Sequence, residues 1–486
     1  MEITLPKKVL EIIETLEKKG FEIYIVGGAV RDILMGKIVY DWDFTTNATP
    51  EEMLKLFKNA YYTNEFGMVG IPAEEEGGRP YEITTYRTEH GYSDSRRPDK
   101  VKWGKSLEED LKRRDFTINA MALAVGETEE RKNRGTKKQK HKSQITSAPV
   151  GTGQTNHKSL TENVRVDLID LYDGRKDLEN KLIRAVGNAN ERFSEDALRM
   201  MRAVRIATEL SFTIEEKTLS AIQKNKKLIH KIAGERVRDE LLKILASANP
   251  YYGMEVFRKS GLMDEILPEM EDTFGVEQKS PGRHHIWDVG THSLNSLKHV
   301  AEINSDPTTR LATFIHDAGK AKTYKKLPTG VITFYNHEVV SGRIALAIAK
   351  RLRFSNSQKE KLYKLVRYHQ FTVNENQTDS AIRRFIRKVS IELIPDMLDL
   401  RMGDRLGGGA AETSWRLEEF KKRLIEVQKQ PFSVTDLKIS GHDVMKTLNI
   451  KPGPKVGEVL EKLYDEVVEK KLPNERNILL TRIKNL

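Results

Sequence analysis

Asp41 and Asp43 stand one residue apart in the run YDWDF. On an extended strand, alternate side chains point to one face, which sets these two carboxylates side by side. Paired carboxylates repel unless a cation lies between them, and Mg²⁺ favours such oxygen ligands together with substrate phosphates. Upstream, the apolar run Glu22–Val26 ends in Gly27-Gly28-Ala29-Val30-Arg31-Asp32, the pattern of a strand, a glycine turn and a helix start. Bare glycines let the backbone approach a triphosphate, the helix start offers free N–H groups, and Arg31 can grip phosphate oxygens. A phosphate cradle followed by a metal pair is the equipment of nucleotidyl transfer.

The elements that must hold these residues follow from periodicity. Val9, Leu10, Ile12, Ile13 and Leu16 make one apolar face of an amino-terminal helix. Glu22–Val26, Val39–Thr45 and Tyr81–Tyr86 read as strands, Thr49 caps the helix PEEMLKLF, and Ser106 with Glu109 forms a capping box. After about Gly174 strand signals give way to helical periodicity, so an α+β head followed by a long helical remainder is expected. Arg131–Lys142 carries seven basic residues and no acid, and a polar stretch continues to about Asn163. It interrupts two apolar β patterns and reads as a disordered insertion over 127–164, at a hairpin tip.

Composition narrows the function classes. The chain has 486 residues, room for roughly three domains. The absence of cysteine excludes thiolate metal sites and cysteine nucleophiles. No run is long and apolar enough for a membrane span, and the amino terminus lacks the pattern of a signal peptide, so a cytoplasmic location is expected. The excess of 82 Lys and Arg over 71 Asp and Glu, a net +11, favours a polyanionic partner.

The segment GGAVRDILMGKIVYDWDFTT resembles the first signature of the tRNA nucleotidyltransferase and bacterial poly(A) polymerase family, whose head is polymerase-β-like. LKRRDFTINAMAL resembles its ribose-selecting segment, which implies that Arg114 and Asp115 lie by the incoming nucleotide. LYDGRKDLENKLIRAVG is similar to the segment joining head and neck. RFSEDALRMMRAVRIA is similar to the nucleotide-reading helix, and GERVRDELLKIL to the neck-stabilising helix. The resemblance implies a class II enzyme completing the CCA end of tRNA from CTP and ATP, with Mg²⁺ on Asp41 and Asp43. Gly28 and Arg31 would hold the triphosphate, and Glu82 is a candidate third carboxylate. GYSDSRRPDKV resembles the flexible loop of the CCA-completing group, with Ser95 in place of an expected glycine. The stretch from Ile439 to Asn477 resembles that group's tRNA-binding tail, and its KPGPKVG turn opens a helix whose N–H groups suit an RNA phosphate.

On the resembled reading helix, Asp196 and Arg199 stand at i and i+3, and Arg202 and Arg205 continue the step as a basic ridge. Cytosine and adenine each present an amino donor beside a ring-nitrogen acceptor, which a carboxylate and a guanidinium match. Guanine and uracil invert the pattern, so a protein edge can select C and A without a template. An intrahelical salt bridge is the structural alternative.

His292, His316-Asp317 and Asp404 follow the order of an HD metal-dependent phosphohydrolase, with His337 and His369 able to complete a binuclear version. Imidazoles and carboxylates suit a divalent transition metal such as Ni²⁺ or Mn²⁺, and a scaffold that has lost its metal is the alternative. The expected division is a head over 1–173, a neck over 174–250, an HD-bearing body over 251–405 and a tRNA-binding tail over 406–486. The expected partners are the tRNA 3′ end, CTP and ATP, with no membrane and no stable protein partner. An A-adding enzyme or poly(A) polymerase, an RNA-directed HD phosphohydrolase and a non-catalytic RNA-binding protein are the rivals.

Overall fold

The structure is a computed structural model. It describes residues 1–64, 67–73, 78–90, 100–104, 106–126, 161–278, 287–371, 377–411, 413–428, 434–468 and 471–486. The insertion expected over 127–164 and the loop GYSDSRRPDKV fall almost wholly outside these residues. The chain forms two compact units, one of Met1–Val237 with Lys259–Glu265, the other of Arg238–Arg258 with Ile266–Leu486.

The first unit is built on a sheet of eight strands: β1 (Glu2–Pro6), β2 (Ile23–Val26), β3 (Asp43–Thr46), β4 (Tyr61–Asn64), β5 (Met68–Ile71), β6 (Tyr81–Thr85), β7 (Met121–Val125) and β8 (Thr161–Asp170). Their spatial order is β1-β8-β7-β2-β3-β6-β5-β4. Most neighbours run antiparallel, while β3 and β6 are parallel and place Asp43 beside Glu82. Helix α1 (Lys7–Glu17) buries the five apolar residues that the periodicity marks. Thr49 caps its helix with a complete capping box, and Ser106 Oγ accepts from the Glu109 N–H at 3.4 Å. The strands on either side of the insertion pair antiparallel, Val125 opposite Val166.

Two boundaries differ from the sequence pattern. Regular strand β3 begins at Asp43, so Asp41 lies in the segment ahead of it. Pairing fades there rather than stopping, since Trp42 O still accepts from Glu82 N at 3.0 Å. The strand signal also does not vanish after Gly174: two-residue pairs join Leu182–Ile183 to Thr213–Ile214 and Lys325–Lys326 to Ile332–Thr333. Helices otherwise dominate.

In the second unit, the helices Val289–Ile303 and Ile394–Gly407 pack at close range because their contact is made of small residues. A Cβ on Gly403 would stand 2.3 Å from Val300 Cγ2, and one on Gly407 2.3 Å from Ser296 Oγ. That approach brings His292, one turn before Ser296, to Asp404. Farther along, the fully buried Arg383 donates to Val427 O and Val468 O, satisfying carbonyls at two helix ends. Leu437, Val444, Leu463, Tyr464, Leu479 and Ile483 close a separate apolar cluster near the carboxyl terminus.

Candidate active site and metal centre

The register of β2 and β3 sets Val26 opposite Asp43, so the glycine turn that follows β2 arrives beside the carboxylate. Gly27 adopts φ +71°, and a Cβ there would meet Asp43 Oδ2 at 3.1 Å and Arg114 Nη1 at 3.2 Å. Only glycine fits both the conformation and the space. Helix α2 (Gly28–Leu34) starts at the next residue. Arg31, on its first turn, donates from Nε to Asp32 Oδ1 at 2.9 Å and from Nη1 to Asn119 Oδ1 at 3.0 Å.

A cavity of about 1040 Å³ opens over this corner. Its walls include Gly28, Arg31, Asp41, Asp43, Asn119, Arg202 and Arg205. Burial pushes the Asp43 carboxyl up to about 6; Arg114 opposes the rise, while Glu82 and Asp41 add to it. Burial raises Glu82 as well, with Asp41 contributing. Asp41, Asp43 and Glu82 are the oxygen donors here that would hold a divalent cation. Arg79 pairs with the exposed Asp41.

Behind the cavity, the arginines are held by partners. Arg113 and Arg114 both pair with the buried Asp110, whose carboxyl stays below its usual range because the two guanidinium groups outweigh burial. Asp115 takes Arg202 through Nε at 2.7 Å and Nη2 at 2.6 Å. Arg202 and Arg205 therefore reach the cavity wall, the first ion-paired to Asp115 and the second bonded to Glu209 at 3.0 Å.

Asp196 departs from the expected helical pair. The helix Ala189–Glu195 ends at it, with φ −137° and ψ 104°, and the next helix runs Leu198–Leu210. The short carboxylate captures the free Leu198 N–H at 3.0 Å, which is why the helix restarts there. Its second oxygen lies 3.4 Å from Arg236 Nη2. Arg199 instead pairs with Glu195 at 2.6 Å and donates to Arg113 O at 3.1 Å. Asp196 and Arg199 remain sequence neighbours without bonding each other, so the intrahelical salt bridge does not form, and neither lines the cavity.

In the second unit, six expected metal ligands converge. His292 Nε2 lies 3.1 Å from Asp404 Oδ1, and His316 Nε2 lies 3.2 Å from Asp317 Oδ2. The other oxygen of Asp317 faces His337 Nε2 at 3.2 Å and His369 Nε2 at 3.6 Å. His316, His337 and His369 each turn Nδ1 to the carbonyl three residues earlier, on Thr313, Phe334 and Val366, at 2.7, 2.9 and 2.7 Å. A backbone carbonyl fixes Nδ1 as the donor and leaves Nε2 to bind a metal, the arrangement that orients metal-ligating histidines. Burial disfavours charge on His316, but Asp317 and Asp404 outweigh it and push the group up to about 10. Lys320 adds an ammonium 2.6 Å from Asp317 Oδ2. Residues His316, Asp317 and His369 are buried, and so is His292.

Three domain models match the chain. The one described as "Poly A polymerase head domain" covers residues 23–137, the one described as "Probable RNA and SrmB- binding site of polymerase A" covers 211–274, and the one described as "tRNA nucleotidyltransferase domain 2 putative" covers 340–483. A CCA-adding enzyme of Ligilactobacillus salivarius is 32% identical over 481 residues, 99% of this chain and 96% of that protein. The chain belongs to the CCA-adding enzymes. Over a shorter span, the CCA-adding enzyme of Lactobacillus delbrueckii subsp. bulgaricus is 41% identical, across 53% of this chain and 55% of that protein. The crystal structure of the Bacillus stearothermophilus CCA-adding enzyme in complex with CTP shares the fold, at TM-score 0.64 and 24% identity, covering 99% of this chain and 96% of that one. A CCA-adding enzyme in complex with ATP aligns at TM-score 0.55 and 18% identity, over 96% and 94%. The polymerase-β-like head with a mainly helical remainder is thus this family's architecture. Among the described residues no helix is long and apolar enough to cross a membrane.

The sequence reading passed over Asn119 and Arg79. Asn119 lies inside the RRDFTINAMAL run and carried a signal as the amide nearest the arginine pair; Arg79 carried none, because only folding sets it against Asp41.

Proposed function

We propose that the protein adds C, C and A to the 3′ end of tRNA from CTP and ATP, without a nucleic acid template, and releases pyrophosphate. The observation that supports this most is the Asp41–Asp43 pair beside the glycine turn and Arg31, in a chain that aligns end to end with CCA-adding enzymes. The family depends on a divalent metal, read here as Mg²⁺ held by Asp41 and Asp43, with Glu82 as a third carboxylate; when bound it neutralises the triphosphate and acidifies the primer hydroxyl.

The chain's own groups supply the rest. Gly27 and Gly28 let the triphosphate reach the start of α2, where free N–H groups and Arg31 hold its oxygens. Arg114 and Asp115 border the ribose, and Arg202 and Arg205 supply positive charge along the cavity. The primer 3′-oxygen attacks the α-phosphorus as the bond to the β-phosphate oxygen breaks, and pyrophosphate leaves carrying that electron pair. Asp196 accepts from the amino group of C or A, and Arg199 donates to the ring nitrogen. Because both now face protein partners, nucleotide binding must exchange those bonds for contacts with the base.

In this reading the head, residues 1–173, carries the chemistry, the neck, 174–250, reads the base, the body, 251–405, carries the histidine cluster and the tail, 406–486, holds tRNA; the protein works in the cytoplasm. The test is extension of a tRNA ending at its discriminator base. CTP alone should add two residues and ATP should complete the end; growth with ATP alone would assign the chain to the A-adding or poly(A) group.

A second reading is favoured by the convergence of four imidazoles and two carboxylates in the other unit. His292, His316, Asp317 and Asp404, with His337 and His369, hold a divalent transition metal, Ni²⁺ or Mn²⁺, for hydrolysis of a phosphoester. The test is metal content after dialysis against either ion. Retention that the His316→Ala variant loses supports the site, and protein that emerges free of metal overturns it.

A further inference from the structure

The loop that carries the chain from α2 to β3 is anchored at both ends. Gly36, at φ +66°, stops the helix, with its N–H donating to Ile33 O at 3.0 Å and the Lys37 N–H donating to Asp32 O at 2.8 Å. At the other end Trp42 O accepts from Glu82 N at 3.0 Å. Only Ile38, Val39 and Tyr40 lie between Lys37 and Asp41. So short a span between two anchors gives Tyr40 a defined place beside the catalytic carboxylates.

Packing does not account for that place. Tyr40 is 74% exposed and Ile38 73%, and among the described residues the Tyr40 side chain makes no hydrogen bond, ion pair or ring contact. The ring nevertheless lines the catalytic cavity, on the same rim as Asp41 and Arg79. Enclosure falls along this wall: Arg31 and Asp43 are partly buried, Asp41 is exposed, and Tyr40 is more exposed still. The triphosphate groups therefore belong to the enclosed end, and a macromolecular substrate enters past Tyr40. A volume of about 1040 Å³ lies at the top of the range that one small ligand fills, which leaves room for a second occupant.

We infer that Tyr40 is a positioning residue for the primer: its ring is the platform on which the 3′-terminal base of tRNA stacks while that nucleotide presents its 3′-oxygen to Asp41 and Asp43. Base and 3′-oxygen hang from one sugar ring, and Tyr40 is one residue, about 3.8 Å of backbone, from Asp41. The terminal base changes with each addition, and stacking tolerates the change because every base has a π face. Arg79, on the same rim, supplies the positive charge that accompanies stacking in single-strand sites. The inference rests on nucleotidyl transfer in this cavity, with the incoming base assigned to Asp196 and Arg199.

The test compares wild type with Tyr40→Ala, Tyr40→Phe and Tyr40→Trp. C addition would be followed on a tRNA ending at its discriminator base and on the same tRNA with that base removed and its ribose kept. Tyr40→Ala should lower kcat/KM for the intact tRNA roughly five- to 150-fold, the size of one lost base–aromatic stack, and leave the KM for CTP unchanged. Tyr40→Phe and Tyr40→Trp should stay near wild type, because stacking needs the ring and not the hydroxyl. On the abasic tRNA the wild-type enzyme should fall to the level of Tyr40→Ala, and the alanine variant should lose nothing further. Wild-type kcat/KM in Tyr40→Ala overturns the inference, as do equal losses on intact and abasic tRNA, or a loss shared by the phenylalanine and tryptophan variants. A defect confined to the KM for CTP overturns it as well, by placing the ring on the incoming base. A 2-aminopurine at the tRNA terminus gives a readout without turnover: wild type should quench its fluorescence on binding and Tyr40→Ala should not, and equal quenching by both overturns the stack. Wild-type protein that quenches the probe but adds no nucleotide would count against the transferase reading and leave the stack standing.

Discussion

At the scale of single residues, the carboxylates carry the strongest expectation. Asp43 sits beside Glu82 and under Gly27. Asp41→Ala and Asp43→Ala should each cut nucleotide addition by far more than tenfold while tRNA affinity stays near wild type, because phosphate contacts dominate RNA binding. Filter binding and primer extension on the same preparations check both halves. Asp196 calls for two variants, since its carboxylate also accepts from the Leu198 N–H at the start of the helix Leu198–Leu210. Asp196→Ala should lose about 0.5–2 kcal/mol of stability with the cap, whereas Asp196→Asn retains the accepting oxygen. Asp196→Ala should shift kcat/KM toward UTP and GTP by roughly five- to 150-fold for one unmatched polar group, and Asp196→Asn, which keeps an acceptor, by less. If the four nucleotides change in parallel in both variants, Asp196 is only a cap.

At the scale of elements, the site depends on a turn. The glycine corner between β2 and α2 works because Gly27 takes φ +71° with Asp43 and Arg114 close by. Gly27→Ala should cost ~1–2 kcal/mol for the left-handed backbone and should displace Asp43 or Arg114. The expected result is a folded head, seen as a cooperative thermal transition, with severely reduced nucleotide addition. Activity near wild type would mean that the carboxylate tolerates displacement. The helix boundary at Asp196 teaches a related lesson. Helical periodicity continues through EDALRMMRAVR, yet a short acidic side chain that can satisfy a free N–H competes with the helix and splits it.

At the scale of the whole molecule, the carboxylate pair and the histidine cluster lie in separate compact units. If the second unit carries metal, His316→Ala should release it and leave CCA addition within about twofold, a margin ordinary for additivity between independent sites; metal analysis and tRNA extension report the two effects separately. The sequence by itself marked the candidate groups: residue type and spacing are enough to single out the glycine turn and the paired aspartates, while the RRDF segment and the histidine–aspartate run were legible through their resemblance to known families. It also determined the amino-terminal helix and its buried face, because one stripe of apolar residues has one stable solution. What each chemical group faces was decided only by tertiary structure. Glu82 reaches Asp43 through a parallel pairing across 39 positions of sequence, Asn119 meets Arg31 through an 88-residue separation, and Asp317 divides its two oxygens between histidines from different helices. Such partnerships depend on strand register and helix packing, whose energies are summed over many distant contacts, and no short window of sequence contains them.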